Sequence, residues 1–282
     1  MKRTLASFAA AAGARLVGED RAFGVVSTDS RTIPAGALFV ALRGERFDGH
    51  DYAAAAAERG AVAALVDREL DLPVPLLIAP DTLAALSAAA AAWRASFDIP
   101  VVGVAGSNGK TSTKEMVAAV LARRGPVLAT RGTLNNHIGV PLTLFGLGAE
   151  HRAAVIELGA NHPGEVAALA ALARPTVGLV TNAGAEHLEG FGSLDGVARA
   201  EGELFEALGP GATAVINADD AYAGLWRDMA GAARVVTFGT GAADLRAREV
   251  RLSVEGGRWS TSFVLDTPAG TAQLRLALPG AH

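Results

Sequence analysis

Apolar and polar positions along this 282-residue chain come in short blocks whose period switches between that of a strand and that of a helix. Leu5, Phe8, Ala9, Ala12 and Leu16 recur at helical spacing and predict a helix over 5–16. Compact apolar runs predict strands over 25–29, 37–41 and 62–66, with a helix-compatible alanine tract over 52–58 before the last of them. An alanine-rich helix over 82–97 leads into a regular alternation: strand 101–105, helix 111–123, strand 127–129, strand 153–158, helix 163–173 and strand 177–181. A helix over 192–208 and strands over 212–217 and 235–238 continue it, and the alternating runs 250–254, 259–265 and 271–277 predict a terminal β meander. Such alternation implies a mostly parallel sheet with helices on both faces. Ligands of such sheets bind beyond the carboxyl ends of the strands, so residues that follow strands are the ones to inspect.

The stretch that follows the strand over 101–105 carries the chemistry: Val101-Val-Gly-Val-Ala-Gly-Ser-Asn-Gly-Lys-Thr-Ser-Thr113. Gly106 and Gly109 permit a tight turn and close backbone approach, and the helix that follows would aim its first amides at an anion. Lys110 would neutralise outer phosphates and the Thr111 hydroxyl would reach a magnesium ion. The general phosphate-loop pattern has glycine where Val104 stands, and this chain places it at Gly106 instead. The fold class expected is therefore α/β: a small N-terminal α/β domain plus a central P-loop domain, its mostly parallel sheet flanked by helices and followed by the meander. The stretch Asp71-Leu-Pro-Val-Pro75 and Pro80 put the boundary near residue 80, giving domains of 1–80 and 81–282.

Two residues after later strands join the candidate site. Glu157 ends one apolar run and His187 follows another, and with Thr111 they could converge on one magnesium–phosphate centre. Asn217, at the end of the strand over 212–217, could meet a base or ribose. On pattern alone Glu201, Glu203 and Glu206 read as a solvated helix face, and the polar turns at 28–31, 43–46 and 48–50 sit at strand ends where ligand groups gather.

Composition narrows the class. The length favours two domains; half the residues are hydrophobic and 19% charged, as in a compact folded protein. A formal charge of -4 gives no basic footprint for nucleic acid. Without cysteine there is no disulfide, thiol nucleophile or cysteine-ligated metal. Met1-Lys-Arg before an alanine-rich run has the outline of a secretory signal, but its large apolar residues keep helical spacing and Gly13 interrupts them. Glu58, Arg59 and Arg94 break the alanine tracts, so no membrane span of ~18 apolar residues is expected. A soluble, cytoplasmic protein is the expectation.

Six motifs, in order, resemble the Mur ligases of bacterial cell-wall synthesis: Thr28-Asp-Ser-Arg-Thr-Ile-Pro-Ala-Gly-Ala-Leu-Phe-Val-Ala-Leu42, Asp48-Gly-His50, Gly106-Ser-Asn-Gly-Lys-Thr111, Asn135-Asn-His-Ile-Gly-Val-Pro141, Glu157-Leu-Gly-Ala-Asn-His-Pro-Gly-Glu165 and Asn182-Ala-Gly-Ala-Glu-His-Leu-Glu-Gly-Phe-Gly-Ser193. The last two look like the member that joins D-alanyl-D-alanine to UDP-N-acetylmuramoyl-tripeptide. Gly106 is also how this family writes its loop.

The resemblance implies an amide ligase that uses ATP and Mg2+ and works through an acyl phosphate. By position, Gly106, Ser107, Asn108, Gly109, Lys110, Thr111 and Ser112 would hold the ATP phosphates, and Asn217 its adenine side. Lys110 would stabilise the transferring phosphoryl, Thr111 and Glu157 would hold the ATP magnesium, and His187 a second metal. Asn135, Asn136 and Asn182 would line the reacting centre; Ser30, Arg31, Asp48 and His50 would face the uridine diphosphate part. The implied partners are the two substrates alone, with a monomer expected.

Two residues depart from the family pattern. Glu201 stands where Mur ligases place a carbamylated lysine, so a glutamate would supply the carboxylate that positions the second magnesium. Thr133 stands where asparagine is expected. Leu278-Pro-Gly-Ala-His282 matches the start of a motif that in the family continues into a carboxy-terminal domain. The chain is therefore expected to be the first part of such a ligase, not competent alone, because water exclusion at the closed site needs that domain. A phosphate-loop kinase or NTPase would explain 101–113 but not the N-terminal motifs; a non-catalytic UDP-sugar-binding module differs only in ATP turnover. The ligase adding the third amino acid and folate polyglutamate synthases share the loop logic.

Overall fold

The computed structural model describes residues 3–278, and the chain divides into two compact units. One comprises Met1–Val101, Lys114–Leu158 and Ala168–Arg174, the other Val102–Thr113, Gly159–Ala167 and Pro175–His282. Pro279 to His282, the end of the last family motif, lie outside the described residues.

The first unit holds a five-stranded sheet in the order Arg15–Val17, Leu76–Ile78, Ala63–Val66, Leu38–Val40, Val26–Ser27. Its first pair is antiparallel and the rest parallel. Phe39, Ala41, Ala64 and Val66 meet Ala53 and Ala56 of the helix Ala53–Glu58 in one buried cluster. Small alanines let that helix lie close to the sheet, which suits a chain so rich in them. The first helix is shorter than its periodicity predicts, running Leu5–Ala12. Gly13 ends it in the left-handed conformation (φ 64°), and Leu16, expected on the helix, enters an edge strand instead. Helix Thr82–Ala95 starts where Asp81 Oδ1 accepts the Leu83 and Ala84 amides at 2.9 Å, a cap worth about 1 kcal/mol. It buries Ala85, Leu86, Ala89 and Ala90. The same unit contains the parallel pair Val127–Ala129 and Ala153–Glu157 and the helix Gly139–Leu144. Sequence periodicity misses that helix because it is short and carries a proline in its first turn.

In the second unit the strand order is Gly270–Leu276, Arg258–Thr267, Leu245–Glu255, Arg234–Gly239, Thr213–Asn217, Val177–Val180, Val101–Ala105. The meander strands are antiparallel to one another, and the others run parallel. Ala105 pairs with Val180, and Val180 with Ile216, so the carboxyl ends of successive strands finish level with one another. Helix Leu194–Glu206 packs against helix Ala223–Met229, which the apolar pattern also misses. Trp226 is fully buried between them; its Nε1 donates to Ala198 O at 2.8 Å and its ring meets Phe205 edge-on, centroids 6.3 Å apart. Gly202 makes this approach possible, since a Cβ there would lie 2.5 Å from Met229 Sδ. The first two meander strands exceed their predicted lengths while the third keeps its length one residue earlier, and the first bends at a register shift between Arg248 and Arg251.

The α/β class is borne out, with parallel-rich sheets flanked by helices and a terminal meander. No helix among the described residues is long and apolar enough to cross a membrane.

Candidate nucleotide and substrate site

The turn after Val101–Ala105 begins at Gly106, whose φ of 116° lies outside the range of ordinary side chains. A Cβ at this position would also overlap the Thr181 hydroxyl. Both constraints explain why the glycine stands at 106. Gly109 takes φ 81° and the helix Lys110–Leu121 follows at once. Asn108, Gly109, Thr111 and Ser112 are exposed at the start of this helix, the end of a helix that favours an anion.

The loop is fastened to the segment after the next strand. Thr181 Oγ1 donates to Asn108 O at 2.7 Å and Asn182 Nδ2 to the same oxygen at 3.0 Å, while Asn182 Oδ1 accepts the Asn108 amide at 3.1 Å. Ser107 N donates to Asn182 O at 2.9 Å, and Ser107 Oγ accepts the Gly184 amide at 2.8 Å. Asn182 thus braces the loop's backbone. Lys110 Nζ folds back, donating to Gly106 O (2.5 Å), Ser107 O (3.0 Å) and Glu186 Oε1 (3.4 Å). Sequence reading missed Glu186, although it immediately precedes His187.

Glu201 lies beneath this loop, 2% exposed, its Oε2 accepting the Gly106 amide at 2.6 Å. Burial pushes its carboxyl up to about 7, opposed by the Lys110 ammonium and the Gly106 N–H. The acidic helix is not a solvated face: Glu201 is inside, and Glu203 accepts the Gly164 and Ala167 amides at 2.7 and 3.0 Å, supporting the start of helix Glu165–Ala173. Glu206 alone of the three is exposed. His187 precedes the short helix Leu188–Phe191 with φ 48°, unusual for a residue with a side chain. Its carbonyl accepts the Gly190 and Phe191 amides and its side chain is exposed.

Asn217 ends its strand with Nδ2 donating to Thr181 O at 2.9 Å and Oδ1 accepting the Asp219 amide at 3.0 Å. It ties two neighbouring strand ends together. Beside it, Asp220 Oδ2 accepts the Ala183 amide at 2.9 Å.

In the first unit, Glu157 ends the strand Ala153–Glu157 and is buried. Its amide donates to Thr130 Oγ1 at 3.0 Å and its Oε1 accepts Asn135 Nδ2 at 2.9 Å. The adjacent Asn136 turns the other way: its Oδ1 accepts the Ile138 and Gly139 amides (3.1 and 2.9 Å) at the start of helix Gly139–Leu144. Lys114, absent from the sequence reading, is fully buried here, donating to Thr130 O at 2.7 Å.

Also in this unit, Ser30 is buried and Arg31 is exposed, its guanidinium paired with Asp29 at 2.8 and 2.9 Å. His50 does not face solvent. Its side chain is 1% exposed, held by Asp48 at Nδ1 and by the Asp67 amide at Nε2. The His50 amide and ring hold the Asp48 carboxyl at about 2. Arg43 and Arg68, both outward, pair with Asp67 at 2.6 and 2.9 Å. The polar groups that reach solvent here are therefore Asp48, Asp67 and the arginines, with His50 as their internal strut. Asp67 is the missed member, legible only as an acid after the strand Ala63–Val66.

Among the described residues no group of three or more His, Asp or Glu could hold a metal by itself, so Glu157, His187 and Glu201 do not form an all-protein cage. Magnesium keeps several waters and is commonly bound by one or two protein ligands plus nucleotide oxygens.

The Mur ligase middle domain family matches residues 104–282, and the Mur ligase family, catalytic domain, matches residues 22–138. UDP-N-acetylmuramoyl-tripeptide--D-alanyl-D-alanine ligase of Escherichia coli (strain K12) is 47% identical over 269 residues, covering 95% of this chain and 59% of that protein. The protein of the same name from Bacillus subtilis (strain 168) is 36% identical, covering 86% and 53%. Among solved structures, MurF from Acinetobacter baumannii superposes with a TM-score of 0.93 at 35% identity, covering 99% and 62%. MurF ligase from Thermotoga maritima in complex with ADP gives 0.79 at 28%, covering 89% and 57%. The chain spans 59% of the length of the E. coli relative. With a family model matched over residues 104–282 and a relative 47% identical over 269 residues, the chain belongs to the Mur ligase family.

Proposed function

We propose that this chain provides the UDP-substrate and ATP-binding parts of a ligase that joins D-alanyl-D-alanine to UDP-N-acetylmuramoyl-tripeptide. The observation that carries the reading is the Gly106–Lys110 loop, an anion cradle in a chain 47% identical to a ligase of that name. In this reading residues 1–80 bind the UDP-substrate and 81–282 bind ATP. A cytoplasmic, monomeric enzyme goes with it, as do the two peptide substrates as its partners.

The chemistry asks two anions to react. The tripeptide carboxylate attacks the γ-phosphorus of ATP and ADP leaves; the dipeptide amine then attacks the acyl carbon and phosphate leaves. Lys110 would exchange its loop carbonyls and Glu186 for the outer phosphate oxygens, meeting charge as it develops. The amides at the start of helix Lys110–Leu121 would hold the remaining phosphate oxygens. Magnesium, held by Thr111 and Glu157, would supply neutralisation of phosphate charge, with His187 as a ligand of a second ion. Asn135 orients the Glu157 carboxylate and Asn182 keeps the loop open. Glu201 takes the place of the family's carbamylated lysine, holding the loop from beneath through Gly106 and needing no carbamylation. Asn217 faces the adenine side, and Arg31 and Asp48, with Ser30 and His50 behind them, face the uridine diphosphate.

Phosphate release from ATP with UDP-N-acetylmuramoyl-tripeptide and D-alanyl-D-alanine tests the reading, using this chain and the same chain extended by the carboxy-terminal portion of the E. coli relative. Turnover in the extended form that requires both peptide substrates is expected. No turnover in either form overturns the assignment, and turnover with another amino donor redirects it to another ligase of the family.

A further inference from the structure

Lys114 is fully buried, although it lies on an otherwise polar stretch of the helix Lys110–Leu121. Burying an ammonium is unfavourable unless partners replace its water. Its partners are Thr130 O at 2.7 Å and Glu115 Oε1 at 2.8 Å. Thr130, itself buried, is engaged at every polar atom: its amide donates to Val155 O (3.1 Å), its hydroxyl accepts the Glu157 amide (3.0 Å) and its carbonyl takes Lys114. Beyond it, residues 131–134 are exposed. The segment returns at Asn135, bound to the Glu157 carboxylate, and at Asn136, which clamps the next helix. Glu157 is thus gripped twice, at its amide by Thr130 and at its carboxylate by Asn135, and both residues belong to one segment rooted on Lys114.

We propose that Lys114 is a positioning residue, whose buried ammonium anchors the root of the 130–136 segment and thereby sets the orientation of Asn135 and Glu157. This rests on the reading of Glu157 as a ligand of the nucleotide's magnesium. The sequence disguises the role, because a lysine after Thr111-Ser-Thr113 looks like an exposed helix residue. Lysine suits the position because it delivers a point charge with several donors through a slender stem, whereas methionine fills the stem's space and delivers none.

The test uses the 282-residue chain with Lys114→Met, Lys114→Arg and, should the methionine variant not fold, Thr130→Val, which removes the acceptor of the Glu157 amide. Amide hydrogen exchange without nucleotide should quicken by about tenfold or more at residues 131–136 in Lys114→Met, with Leu38–Val40 unchanged, as expected for a lost charge-assisted hydrogen bond. The tightening of ADP binding on adding Mn2+ should fall by about tenfold while metal-free ADP binds as before, and Lys114→Arg should recover most of it. Unchanged exchange in the segment, or equal losses with and without metal, overturns the proposal. A wild-type chain that gains nothing from metal overturns the magnesium reading of Glu157 instead, and the exchange data still decide whether Lys114 anchors the segment.

Discussion

Glu201 accepts the Gly106 amide at 2.6 Å from inside the protein, so a buried carboxyl group carries the first residue of the phosphate loop. Its folded-state carboxyl sits near 7, raised chiefly by burial above its ordinary 4.5. The protonated form is therefore favoured on folding: this group's stabilising contribution is complete below about pH 4.5 and lost as pH rises through about 7. The full effect is on the order of 3 kcal/mol at most. Glu201→Gln keeps an acceptor for Gly106 without the charge. It should match the wild type in thermal unfolding at pH 5 and be the more stable at pH 8; parallel profiles would refute the assignment.

Asp48 gives the opposite sign. The His50 amide and ring hold it near 2, so its stabilising contribution is present above its ordinary 3.8 and disappears as pH falls toward 2. Asp48→Asn should flatten the acid limb of the unfolding curve without altering behaviour near pH 7. Retention of the wild-type acid limb would show that the His50 contacts do not matter.

Gly106→Ala meets two penalties, a φ of 116° and overlap with the Thr181 hydroxyl. A loss of about 2 kcal/mol in stability is expected, with ADP affinity reduced by at least about tenfold. Titration calorimetry showing wild-type affinity would mean the loop binds nucleotide in another shape.

Lys110→Met should lower turnover in the extended chain by about 10²–10³-fold, with a smaller effect on ADP affinity, because in the proposed reaction the ammonium leaves Gly106 O for the outer phosphates. Arginine should not restore it, since the short path to Gly106 O and Ser107 O leaves no room for a planar fork.

Asn135 and Asn136 should separate cleanly. Asn136→Ala removes the clamp on the Ile138 and Gly139 amides and should cost about 1 kcal/mol of stability. Asn135→Ala should leave unfolding nearly unchanged while weakening the metal dependence of nucleotide binding through Glu157. The reverse pattern in denaturant titrations and ADP binding would exchange their roles.

Much of this was legible along the chain. The strands Val101–Ala105 and Val127–Ala129 fall where the apolar runs end, and the glycines at 106 and 109 take the left-handed conformations their positions require. Helix ends drifted where a local capping event overrode periodicity, as at Gly13. Helices Gly139–Leu144 and Ala223–Met229 escaped because each is too short to build a periodic signal and is stabilised by what it packs against.

By itself, then, the sequence determined most of the order of elements, the α/β class, the phosphate loop and the family, because each depends on residues a few positions apart. Tertiary structure decided which polar side chains face inward. Gly106 and Glu201 are 95 positions apart, and His50 reaches Asp67 across 17. Lys114 and Thr130 are separated by 16. A charged residue is driven to solvent unless folding delivers its partner, and partners at such distances leave no mark on local pattern.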